Sequence, residues 1–144
     1  MIGRWRDHLK EPKHSVLFVC VENAGRSQMA EAFAHKYGLK ASSAGTVPAP
    51  KVNPTVVRTM QEEGIDISRN KPKMLTNEMI EEADLVVTMG CSVEAVCPRP
   101  VLAKMQKKLI DWNLEDPRGK SLGEVRKIRD EIKARVRALS DRHR

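Results

Sequence analysis

The chain has 144 residues, of which 40% are hydrophobic and 3% aromatic, and it carries a formal net charge of +7 at neutral pH. That length supports one domain with a proper core but not two, and no apolar run approaches the roughly 20 residues of a membrane span. The basic surplus lies largely in the two ends without interleaved aromatics, which argues against nucleic acid as a partner, and three cysteines (Cys20, Cys91, Cys97) without an export signal point to a reducing, cytoplasmic setting with a free thiol.

Residues 1–14 contain Pro12 and show no periodicity, so they read as an N-terminal extension ahead of a single domain over 15–144. Ser15 to Cys20 is a continuous apolar run suited to a central parallel strand covered on both faces. The next helix runs from Gln28 to Tyr37, with Met29, Phe33 and Tyr37 four apart, Ala30 and Ala34 beside them, and Gly38 as its stop. Lys40 to Ser43 reads as a short strand and residues 44–50 as a Pro/Gly loop. Asn53-Pro54 opens a helix that Val56, Val57 and Met60 carry to Gly64. Ile65 to Leu75 is irregular, and Thr76 caps a short helix with Met79, Ile80 and Ala83 inward. Asp84 to Met89 is a second buried strand that delivers Gly90-Cys91, after which Cys91 to Pro100 is a loop or a loosely held helix. Lys108 to Trp112 is the last strand. Ser121 and Glu124 form a capping box for a final helix in which Leu122, Val125, Ile128, Ile132, Val136 and Leu139 recur at three and four. This alternation predicts a small doubly wound α/β fold, with a mostly parallel four-stranded sheet and helices on both faces. Ligands in such sheets bind at the carboxyl ends of the strands, where Cys20, Cys91 and Asp116 all fall.

The loop Val21, Glu22, Asn23, Ala24, Gly25 and Arg26 lies between a buried strand and a helix, so its N–H groups and the helix dipole converge on the Cys20 thiol. Those surroundings favour the thiolate, the nucleophilic form. Ser27 can donate to the sulfur, and Arg26 offers a planar fork suited to a tetrahedral oxyanion. Taken alone, a cysteine and an arginine six apart are as well read as a buried small residue and a surface cation. The strand before them, the helix after them and Asn23 and Gly25 between favour a phosphate-like dianion attacked by sulfur. By themselves Asp116-Pro117 make an ordinary turn, and Cys91 and Cys97 are buried thiols or half a zinc site, although none of His8, His14, His35 and His143 stands beside them.

The run from Cys20 to Glu31 resembles the active-site loop of the low-molecular-weight phosphotyrosine phosphatase superfamily, and its Ser27-Gln28-Met29-Ala30-Glu31 ending resembles the arsenate reductase branch. Ser43-Ala44-Gly45-Thr46, Asn53-Pro54, Gly64-Ile65-Asp66-Ile67-Ser68 and Asp111-Trp112-Asn113-Leu114-Glu115-Asp116-Pro117 match the family in order. The resemblance implies that Asp116 is a general acid on a mobile loop and that Cys91 and Cys97 are a redox pair. It implies a relay: Cys20 attacks arsenate, Cys91 attacks the adduct and releases arsenite, and Cys97 attacks in turn, leaving a Cys91 to Cys97 disulfide for thioredoxin or a similar dithiol protein. Arsenate reduction by a monomer without a cofactor is therefore expected. A phosphatase of the same fold and a non-catalytic oxyanion or redox sensor are the alternatives. Phe18, Phe33, Trp5, Trp112 and Tyr37 are the only aromatics, which argues against an aromatic-walled slot for phosphotyrosine.

Three features depart from the family pattern. Five residues separate Cys91 from Cys97, one fewer than in some members. Glu22 puts a carboxylate in an anion-binding loop, where it repels a dianion unless it points outward or pairs with a cation. Some members hold potassium behind the loop; Asn23, Glu31 and Ser43 match ligand positions, but Lys73 stands at the acidic one, so no potassium requirement and no metal are expected.

Overall fold

The computed structural model describes residues 15–89 and 109–142. Among the described residues, strands β1 (Ser15–Cys20), β2 (Lys40–Gly45), β3 (Leu85–Thr88) and β4 (Leu109–Asp111) are joined by helices α1 (Arg26–Lys36) after β1 and α2 (Pro54–Gln61) and α3 (Asn77–Glu82) after β2, with α4 (Leu122–Arg142) after β4. All pairings are parallel and the order is β2-β1-β3-β4, so the carboxyl ends of the strands share one edge. The expectations for residues 1–14, Cys91 and Cys97 lie outside the described residues.

Strand β1 sits at the centre because it can be buried on both faces. Val16, Phe18 and Cys20 face the larger core with α1, α2 and α4, while Leu17 and Val19 face a smaller one with Ile80, Ala83 and Val86. Period-two alternation thus divides one apolar run between two helical layers. Helix α4 lays Val125, Ile128, Ile132, Val136 and Leu139 into the larger core; each buried aliphatic side chain contributes on the order of 2 kcal/mol. Phe18 meets Trp112 with ring centroids 5.8 Å apart, which seats the chain just after β4 against the central strand.

Local chemistry sets the helix ends. Asn53 accepts from the Thr55 N–H and Thr76 from the Met79 N–H, while Ser121 and Glu124 exchange the bonds of a capping box. Gly38, at φ +84°, ends α1: the Gly38 and Leu39 N–H groups return to the carbonyls of His35 and Ala34. Two boundaries extend beyond the sequence reading, while α2, β3 and β4 are shorter than read. Helix α1 begins at Arg26, two residues early, because Gly25 O already accepts from the Met29 N–H. Strand β2 runs on to Gly45, which pairs with Cys20 and also exchanges hydrogen bonds with Lys73 and Leu75.

Candidate active site

At the carboxyl end of β1 the chain turns over residues 21–25, and the segment from Thr46 to Asn53 straps that turn in place. The N–H groups of Thr46, Val47, Ala49 and Asn53 donate to the carbonyls of Cys20, Val21, Glu22 and Ala24. In a trans peptide the C=O and the following N–H point opposite ways. Holding these carbonyls outward therefore turns the N–H groups of Val21, Glu22, Asn23 and Gly25 inward, the arrangement of an anion nest. Pro48 and Pro50, which have no N–H, flank Ala49 in the strap. Gly45 is required where β2 meets the turn, since a Cβ there would lie 2.4 Å from the Val21 carbonyl oxygen. Gly25 caps α1 without a side-chain bond, so the first-turn N–H groups also face the nest.

The sulfur of Cys20 is buried and receives two donors. The Asn23 N–H approaches it at 3.2 Å, which the left-handed backbone of Asn23 (φ 51°) permits. The Ser27 hydroxyl lies 2.9 Å away. Asn23 Nδ2 donates to Ser27 Oγ at 2.7 Å, which leaves the serine's own proton available to an ionised sulfur. Asn23 is the hub behind the loop. Nδ2 also donates to Ser43 Oγ, and Oδ1 accepts from Gln28 Nε2 and the Lys73 N–H. Every polar atom of this fully buried side chain is thereby satisfied.

Arg26 is buried and does more than face an anion. Its Nη1 donates to the carbonyls of Met89 at 2.7 Å and Leu114 at 2.9 Å, tying the loop to the ends of β3 and of the stretch after β4. Its Nη2 faces Asp116 Oδ2 at 3.8 Å. Asp116 is half exposed, and its Oδ1 accepts from the Arg118 N–H in an Asx turn. Cys20, Arg26 and Asp116 line one cleft of about 570 Å³, which Lys51, Asn53 and Arg118 also border. Among the described residues no aromatic ring lines it. Glu22, the unexplained carboxylate of the sequence, turns to Arg118 Nη1 at 3.3 Å.

Behind the hub, Ser43 Oγ donates to Glu31 Oε1 and the Lys73 ammonium stands 3.9 Å from the same oxygen. These residues do not fit a potassium ion, because an ammonium already faces the carboxylate that would hold it. Sequence reading missed the strap, the bonds of Arg26 to two distant carbonyls and the Gln28 side chain that braces Asn23; Pro48 and Pro50 were the visible trace of the first.

Residues 15–143 match the family described as low molecular weight phosphotyrosine protein phosphatase. An arsenate reductase of Brevibacillus brevis is 37% identical over 134 residues, spanning 91% of this chain and 97% of its own. A solved arsenate reductase in its phosphate-binding state superposes with a TM-score of 0.79 at 36% identity, covering 91% of this chain and 99% of that one. An arginine phosphatase from Geobacillus stearothermophilus shares the fold, with a TM-score of 0.80 at 24% identity over 90% and 92% of the two chains.

Proposed function

We propose that this chain reduces arsenate to arsenite, from the premise that it belongs to the low molecular weight phosphotyrosine protein phosphatase family. One observation carries the chemistry: the Cys20 sulfur takes hydrogen bonds from the Ser27 hydroxyl and the Asn23 N–H at the base of a nest of inward N–H groups. Such an arrangement supplies hydrogen-bond donors both to the attacking sulfur and to an oxyanion bound beside it. Two relatives that bear the name arsenate reductase, and the second and third thiols of the sequence, turn this chemistry from phosphate transfer toward reduction.

In the first step Cys20 Sγ bonds to arsenic and one arsenic–oxygen bond breaks, the oxygen leaving as water with a proton from Asp116. Arg26 Nη2 and the loop N–H groups hold the remaining oxygens. In the second, the Cys91 thiolate attacks Cys20 Sγ. A sulfur–sulfur bond forms, the sulfur–arsenic electron pair stays on arsenic, and arsenite departs with arsenic reduced from +5 to +3. Cys97 then attacks Cys91, freeing Cys20 and leaving a Cys91 to Cys97 disulfide, which thioredoxin or a similar dithiol protein reduces. The protein works as a monomer in a reducing cytoplasm, with neither nucleic acid nor membrane as partner, and with the Lys73 ammonium in the place of a potassium ion.

The test is a coupled assay with arsenate, thioredoxin, thioredoxin reductase and NADPH. Arsenate-dependent NADPH loss is expected in the wild type and absent in Cys20→Ser, Cys91→Ser and Cys97→Ser. Brisk hydrolysis of an aryl phosphate that only Cys20→Ser abolishes, with no arsenate-dependent turnover, would instead establish a phosphatase. Oxyanion binding with no turnover of either kind would establish a sensor.

A further inference from the structure

We propose that Glu22 and Arg118 form a latch across the mouth of the cleft that selects inorganic oxyanions over organic phosphate esters. The inference rests on reading the cleft as an oxyanion site and names the substrate class it admits. The segment 114–118 is docked along the turn at three points. Arg26 Nη1 donates to the Leu114 carbonyl at 2.9 Å. Pro117 sits so close to Gly25 that a Cβ there would meet its Cγ at 2.7 Å. Arg118 Nη1 reaches Glu22 Oε1 at 3.3 Å, bridging 96 positions of sequence. The first two contacts lie at the buried base; the third lies outermost, where Glu22 is 37% and Arg118 77% exposed.

That placement decides what must move. A tetrahedral oxyanion bound over Cys20 sends its leaving oxygen toward Asp116, on the segment that ends in Arg118. When the leaving group is a single oxygen it stays beneath the latch. When that oxygen carries an organic group, the group extends past Asp116 toward the Glu22–Arg118 pair at the rim of the cleft and disturbs it. The Glu22 carboxylate also occupies Arg118 Nη1, which is then not free to hold the ester from outside. An exposed pair is weak and screened by salt, so the selection it imposes is modest, about three- to fivefold, and depends on ionic strength.

The experiment measures binding, separately from turnover, by calorimetric titration of the full chain with inorganic phosphate and with phenylphosphonate. The wild type is expected to favour phosphate about fivefold at low salt, a preference that Glu22→Gln and Arg118→Gln each bring close to one. Raising salt to about 0.5 M narrows the ratio in the wild type and leaves it unchanged in both variants. A wild type without preference, a ratio that persists in either variant, or one that narrows with salt equally in all three proteins overturns the latch. Loss of phosphate binding by the wild type overturns the oxyanion reading itself, and the latch with it.

Discussion

Two polar networks join distant parts of this molecule, one at the surface between helices and one behind the Cys20 loop, and they differ in how their donors are spent. Between α2 and α4, Glu62 accepts from Arg126 and Arg129, Glu63 from Lys133, and Arg129 also donates to the Thr59 carbonyl and to Asp130. Each charged group there finds its partners within the cluster. Around Cys20 the acceptors are spoken for and the donors are not. Asn23 satisfies the hydroxyls of Ser27 and Ser43, the strap satisfies the loop carbonyls, and the N–H groups of Glu22, Ala24 and Gly25 have no partner among the described residues. A closed ledger of hydrogen bonds makes a clamp; a surplus of donors makes a site for an anion.

The sharpest test of that contrast is Cys20→Ser, which should lower arsenate-dependent turnover by about a thousandfold or more while leaving the thermal midpoint close to wild type, since the change is nearly isosteric. Asp116→Asn should lower kcat by about a hundredfold with less effect on KM in steady-state kinetics, because a neutral amide cannot protonate the leaving oxygen. Asn23→Ala strips partners from buried groups on both sides of the loop. It should cost about 2–4 kcal/mol by urea denaturation and also impair turnover, joining the two kinds of readout. Arg129→Leu should cost about 2 kcal/mol with kcat unchanged, because it touches only the clamp. An Arg129 variant that altered turnover would break the comparison.

The smallest effect is a pH dependence. Hydrogen bonds from Arg126 and then Arg129 hold the Glu62 carboxyl down at about 2, from 4.5. A group whose acidity is raised by folding contributes stability above its unfolded value and loses it as pH falls through the folded one. Wild type should therefore exceed Glu62→Gln in stability above about pH 4.5 and converge with it toward pH 2, as equilibrium unfolding across that range would record.

The strands, the caps and the loop after Cys20 were legible because their signals are local: an apolar run, Asn53-Pro54, Ser121 with Glu124. What was not legible depends on pairs far apart in the chain. Arg26 reads as an anion fork from its neighbours, yet its Nη1 is spent on carbonyls 63 and 88 positions away. Glu22 looks misplaced until Arg118 arrives beside it. Arg129 shows the reverse: it sits in the apolar series of α4 next to Ile128, and its burial is a tertiary outcome that the pattern of threes and fours does not carry. The end of β2 moved by two residues for the same reason, because Gly45 bonds to Lys73 and Leu75, whereas the early start of α1 rests on the local bond from the Met29 N–H to the Gly25 carbonyl.

The strap from Thr46 to Asn53 continues β2, the strand at the margin of the sheet. Such a margin invites a neighbouring molecule to add its own strand, and Val47 exposes an apolar side chain there. Proline at 48 and 50 removes the amides that a visiting backbone would need. The same short stretch that aims the nest inward therefore presents few free amides on its own outer side.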